Sequence, residues 1–298
     1  MLEKRTMPTD FTEMLPRVSE FRRFRRVFFS RRLVVFGLIV ILALIVTAIF
    51  APFIAPYNPY KMDLSRKLLQ PCREHILGTD SLGRDTLSRV IYGTRTSLMV
   101  SVIAIGIAGS IGMTMGLLAG YFGGITNMVI MRFTDALMSF PMILLAMVVA
   151  AVLGGGLKNV IIALGVGMIA PYCRLMCGQV LSVKENDYIT AGRAIGASNL
   201  RMMLGHILPN CFPPLIVLLT LMMGTVILAE ASLSFLGIGI TPLTAAWGSM
   251  VNDGYKYLLT HLMLSFAPGL AIMLVVFAFN MVGDGLRDAL DPRLRGTL

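Results

Sequence analysis

Between Thr96 and Met131 the chain runs for 36 residues without one charged side chain. As a single helix that stretch would be about 54 Å long, nearly twice the ~30 Å hydrocarbon layer of a bilayer. It is therefore expected to cross a membrane and to break on the way. The glycines between Gly116 and Gly124 are the expected breakpoint, giving spans near 97–119 and 127–153, and Gly154 to Gly156 form a turn after them. A second charge-free run, from Leu33 to Tyr60, ends in the cluster Pro52 to Pro59 and supplies a first span, 33–54. Three more spans are expected near 160–180, interrupted by Pro171 and Arg174, near 212–228 and near 261–282. The reading is an all-α membrane protein with six transmembrane helices. Composition agrees, because a chain that is 56% hydrophobic and 14% charged has more apolar surface than a water-soluble core can bury.

The first span is read as an uncleaved anchor. The basic region ahead of it is too long for a signal peptide, its apolar run is too long as well, and no A-x-A site follows. Nine of the 26 Lys and Arg precede Leu33, against four acids. That clustering reads as a basic flank facing membrane lipid, and no nucleic-acid partner is expected. Val18, Phe21, Phe24 or Arg25, and Phe28 recur at helical spacing, which predicts an interfacial helix within a basic tail, residues 1–32. With six spans both termini share a side, and that side carries 17 of the Lys and Arg against nine opposite. The termini are accordingly expected in the cytoplasm. Seven basic residues in the loop 55–95 oppose this assignment, and the acids Asp63, Glu74, Asp80 and Asp85 offset them only weakly.

Catalytic chemistry finds little support. Gly78 to Asp85 has the glycine spacing of a phosphate-binding loop, but Arg84 and Asp85 stand where Lys and Ser or Thr are needed. His75, His206 and His261 are far apart, and no nucleophile motif or carboxylate pair occurs, so no catalytic residue is assigned. Cys72, Cys173, Cys177 and Cys211 are too scattered for a disulfide framework. Cys173 and Cys177, four apart, read as two small residues on a helix face, since no His or carboxylate completes a metal set. No cofactor and no metal are expected.

The most informative polar stretch is 184–210. Asp187 or Tyr188 can open a short helix, the small residues Ala191, Gly192 and Ala194 line it, and Gly196 can end it before Ser198 or Asn199 caps another. Such a helix is shaped to enter a partner's groove.

This stretch resembles the coupling loop of ABC importer permeases, in which E-A-A is followed by a glycine and the segment ends in L-P. Gly196 holds the glycine position and Leu208-Pro209 the end, while Thr190 and Gly192 replace Glu and Ala. Gly78 to Arg89, Tyr121 to Gly124 with Met131 to Asp135, Glu230 to Gly239 with Trp247-Gly248, and Gly283 to Arg293 are similar to the dipeptide, oligopeptide and nickel permease group. The resemblance implies a type I ABC importer permease core over 96–288, the first span being an addition and 289–298 a cytoplasmic tail. It implies a bacterial inner-membrane location and four kinds of partner or surrounding: a second, homologous permease, two cytoplasmic ATP-binding subunits, an extracytoplasmic solute-binding protein, and lipid. Asp187, Tyr188, Ala191, Gly192, Arg193, Ala194, Ile195, Gly196, Ala197, Ser198 and Pro209 would meet the ATPase. Di- or oligopeptides are the first expected substrate, nickel or a metal chelate the second.

Charged groups inside spans are functional candidates. Arg132 and Asp135, three apart, are expected to neutralise one another. Glu230, at the outer end of the fifth span, could meet a peptide's amino group or a cation, or bond backbone freed by the irregular segment after it. Asp135, Met138 and Glu230 are the candidates for the translocation path. The competing class is a secondary transporter or channel, which needs ion-coupling carboxylates within spans or inverted repeats; Asp135 and Glu230 give it thin support, and no clear repeat is evident.

Overall fold

The computed structural model describes residues 20–241 and 243–290. Among them the chain is helical with no strand. The helices are α1 (Glu20–Ser30), α2 (Arg32–Ile54), α3 (Thr86–Phe122), α4 (Gly124–Met138), α5 (Met142–Leu153), α6 (Leu157–Gly167), α7 (Ile169–Lys184), α8 (Asp187–Ala194), α9 (Asn199–Arg201), α10 (Leu208–Phe235), α11 (Trp247–Tyr255) and α12 (Met263–Leu290). Five stretches are long and apolar enough to cross a membrane, and a sixth is the pair α4 and α5, which bend by 89° at their junction. Counted as one span, the bent pair brings the candidate crossings among the described residues to six, with the third one broken.

The glycine-rich run breaks later than its composition suggests. Gly123 and Gly124 have φ of +68° and +49° and separate α3 from α4. Gly116 and Gly120 lie inside α3, where the absence of a side chain serves packing. A Cβ on Gly112 would stand 2.5 Å from the Ile169 carbonyl oxygen, one on Gly116 2.4 Å from that of Cys173, and one on Gly120 2.7 Å from the Val180 Cβ. These three residues, four apart, form a groove that α7 fills. In lipid such close backbone approach replaces the hydrophobic drive that holds helices together in water. Cys173 and Cys177 belong to this seam: Thr134 Oγ1 donates to the Cys173 sulfur at 3.5 Å and Asn127 Nδ2 to that of Cys177 at 3.3 Å.

Two other expected spans are also redrawn. The fourth is α6 and α7, divided at Met168, three residues before Pro171. Proline has no N–H to give, so it is accommodated in the first turn of a new helix. The fifth begins at Asn199 and continues to Phe235, so half of the stretch taken as a loop is the foot of this long helix. Its residues Met202–Ile207 are wound as a π-helix immediately before Pro209. A wider turn there relieves the clash that a proline ring makes with the carbonyl four residues back.

The expected outer loop ends at Asp85, because α3 starts at Thr86, ten residues before Thr96. Asp85 caps the helix, accepting from the Ser88 N–H at 2.8 Å and its hydroxyl at 2.7 Å, while its other oxygen lies 2.8 Å from His75 Nδ1. Arg84 Nε donates to Asp80 at 2.6 Å, Arg89 Nε stands 3.6 Å from the same carboxylate, and Arg84 also faces Asp253 of α11 at 3.9 Å. Arg84 and Arg89 are each 1% exposed. The segment that mimics a phosphate-binding loop is thus a clasp of buried ion pairs. His261 Nε2, 2.7 Å from the Leu68 carbonyl, and Gln70, donating to the Thr260 carbonyl at 2.8 Å, fasten it to the chain after α11. The clasp also weakens the charge objection raised by residues 55–95, since two of its seven cations are paired and out of reach of lipid headgroups.

Helix α1 covers part of the expected interfacial segment. Phe24 stacks on Phe28, and buried Phe28 joins Val34 and Val282 in the core shared by α2 and α12. Arg31 reaches Asp288 of α12 at 2.8 Å. Val18 lies outside the described residues.

Candidate functional site

At the end of the bundle where α3 and α7 finish, α8 projects as a two-turn helix. Its inward anchor is Ile189, fully buried against Met202 and Ile207. A Cβ on Gly192 would come within 3.1 Å of the Met202 sulfur, so the small residue sets how closely α8 lies on the foot of α10. The helix ends as its sequence suggests. The Ala197 N–H bonds the Gly192 carbonyl at 3.1 Å and the Gly196 N–H that of Arg193 at 3.0 Å, a Schellman stop with Gly196 at φ +84°. Ser198 caps α9 by accepting from the Arg201 N–H.

Asp187, Tyr188, Ala191, Arg193, Ala194, Ile195 and Gly196 face outward; Ile195 is 86% exposed, and Pro209 also lies at the surface. Nothing lies within 4 Å of where a Gly196 Cβ would be. Tyr188, Ala191, Ile195 and Gly196 therefore present a small-faced ledge with one apolar knob.

Four contacts tie this ledge to α3, and none of them is signalled by the local sequence. The buried Tyr121 hydroxyl donates to Asn199 Oδ1 at 2.7 Å, and its carbonyl accepts from Lys184 Nζ at 2.9 Å. The Arg193 guanidinium sits 5.1 Å from the Tyr121 ring centre, within cation–π range. Lastly, Tyr121 shares an apolar cluster with Ile189 and Met202. Tyr121 is 63 residues from Lys184 and 78 from Asn199, so no local spacing predicts these partners.

The path candidates do not converge. Asp135 pairs with Arg174 of α7 rather than with Arg132, which corrects the expected neutralisation within α4. The pairing across helices fixes α4 beside α7, and both side chains remain partly exposed. Met138 ends α4 at the 89° bend and is 49% exposed. Glu230 is fully buried elsewhere, between α10 and α3, where Ser234 Oγ donates to it at 2.8 Å and Ser97 Oγ lies at 3.5 Å. The Ser234 hydroxyl in turn accepts from the Ile240 N–H at 3.1 Å. Glu230 therefore reaches the irregular segment that follows α10 only through Ser234. Among the described residues no three His, Cys, Asp or Glu side chains gather where a metal could sit.

A helical bundle with a broken span and a short capped helix held against α3 and the foot of α10 has the architecture of a membrane-embedded transport subunit, and the comparisons with known proteins agree. Residues 112–296 match the family described as binding-protein-dependent transport system inner membrane component, and the chain belongs to that family. Residues 19–71 match the N-terminal transmembrane domain of oligopeptide transport permease C. The chain is 41% identical to the dipeptide transport system permease protein DppC of Alkalihalophilus pseudofirmus over 285 residues, 96% of this chain and 92% of the relative. It is 44% identical to the glutathione transport system permease protein GsiD of Escherichia coli O6:K15:H31 over 276 residues, 92% and 90% of the two chains. In fold it is similar to the inward-facing MetNI methionine ABC transporter, with a TM-score of 0.57 and 19% identity over 69% of this chain and 97% of that one. The protein is a permease subunit of a binding-protein-dependent importer and a multi-pass inner-membrane protein.

Proposed function

We propose that the chain carries short peptides inward as one of two homologous permeases, driven by two cytoplasmic ATP-binding subunits and fed by an extracytoplasmic binding protein. Both termini then face the cytoplasm, the chain itself hydrolyses nothing, and α8 is the helix that docks on an ATPase. The observation that carries this reading is the combination of an outward ledge at Tyr188, Ala191, Ile195 and Gly196 with the Tyr121 tie behind it. A docking helix that only touched its partner would swing; one held to α3 and to the foot of α10 passes a displacement into two spans at once. Peptide as substrate is favoured by the relatives, whose names specify dipeptide, glutathione and D,D-dipeptide transport.

The test is co-purification of the assembled importer through a tag on this chain, wild type against Gly196→Asp. Space at Gly196 is open, so the substitution meets nothing within its own chain, and the left-handed backbone costs about 1 kcal/mol. Wild type should bring down an ATPase, and the variant, inserted to the same level, should lose it along with ATP-driven peptide uptake in proteoliposomes. Uptake by this chain without any ATPase would overturn the proposal in favour of a secondary transporter.

A further inference from the structure

A groove between α7, α10 and α12 opens beside the α8 ledge but takes no part in it. Its length runs from Pro209 to Leu221 on α10, twelve residues or about 18 Å of helix, close to one leaflet of a ~30 Å hydrocarbon layer. Leu175, Val217, Leu218 and Leu221 line the long part. At the α8 end the lining becomes polar, with Gln179, Asn210 and Arg287.

Arg287 sits among few competing charges. Asp288, next to it, is engaged by Arg31 at 2.8 Å, and Asp284, one turn away on α12, is exposed to solvent. The same end of the bundle carries Arg22, Arg25, Arg26, Arg31 and Arg32. One cation and two amides at the mouth, with a leaflet-deep apolar channel below, match one molecule: a phospholipid with an anionic headgroup. We infer that this groove is a binding site for an acidic phospholipid of the leaflet on the side of the termini, its phosphate on Arg287 with Gln179 and Asn210, and an acyl chain along α10.

The assembled importer is reconstituted in nanodiscs of phosphatidylcholine with phosphatidylglycerol, released gently, and weighed intact by native mass spectrometry. Retained phosphatidylglycerol is expected on wild type. Arg287→Ala should weaken retention roughly tenfold, the worth of one charge-assisted hydrogen bond, and Arg287→Lys should restore part of it. Leu218→Trp, which fills the channel without touching the headgroup end, should abolish it in an importer of unchanged subunit composition. Inorganic phosphate added in excess should not compete, since the site needs the chain as well as the anion. The inference fails if phosphatidylcholine is retained equally, if both variants hold phosphatidylglycerol as wild type does, if phosphate displaces it, or if a cysteine placed at Leu218 crosslinks to another subunit.

Discussion

At the scale of single residues, the charged groups decide most, because each must be reconciled with a surrounding that does not solvate it. Glu230 accepts from Ser234, whose hydroxyl holds the Ile240 N–H, so removing the acceptor undoes a short chain of bonds. Glu230→Leu should lower stability by about 1–3 kcal/mol, the cost of a stranded polar group. Glu230→Gln keeps an oxygen for Ser234 and should unfold at or above the wild-type temperature in detergent. A fall as large as that of the leucine variant would mean that the charge itself is required. Asp253 differs, lying on α11 outside the spans. Burial lifts its carboxyl above the ordinary range, against the pull of Arg84 and Arg89. A raised value means that the folded chain holds the proton more tightly than the unfolded one. Its effect on stability is therefore unfavourable as pH rises from about 4 through the raised value, and relieved below. Asp253→Asn should flatten the dependence of unfolding temperature on pH in that window; an unchanged slope would assign the dependence to other groups.

At the scale of elements, glycine position separates packing from flexibility. Gly116→Val should push α3 away from α7 and cost roughly 2 kcal/mol or more, seen as loss of monodisperse protein after extraction. Gly106→Val, where nothing lies within 4 Å, should leave yield unchanged. If the two behaved alike, the seam would not be what holds these helices. The sequence made the existence of six spans legible because charge-free runs are long and lipid penalises alternatives. It also made α8 legible, since Gly196 and Ser198 act on their immediate neighbours. The ends of the long helices were not legible. Gly116 and Gly120 look like breakers until their partners on α7 are known, and the charges of Gly78 to Arg89 look like a solvated loop until Asp80, Asp85 and Asp253 are seen to absorb them. Arg132 and Asp135 illustrate the same limit, because local spacing favoured one partner and the fold supplied another, Arg174.

At the scale of the whole molecule, the proposed topology makes a distinction among the cysteines. Cys72 is exposed in the clasp, whereas Cys173, Cys177 and Cys211 are buried. A membrane-impermeant maleimide applied to intact spheroplasts should label this chain through Cys72 alone, and Cys72→Ser should abolish the label. Labelling that requires permeabilised membranes would invert the orientation and with it the side on which α8 lies. The spread of the path candidates over the molecule fits the proposed pairing, in which one permease would contribute only part of a shared channel and its residues need not converge within a single chain.

Helix α3 joins the two faces. One end emerges from the Asp85 cap and the Arg84 clasp, and the other finishes at Tyr121 in the grip of Lys184 and Asn199. Uninterrupted over its 37 residues, it behaves as a beam about 55 Å long. Pivoted on the α7 seam, centred on Gly116 six residues from its end at Phe122, a tilt of roughly 5° carries the Asp85 end about 4 Å and the Tyr121 end about 1 Å, in opposite directions. The chain is in that sense a lever with unequal arms: under the proposed docking, a small displacement of the ledge on the short arm is felt, enlarged and with its sign reversed, at the clasp on the long arm.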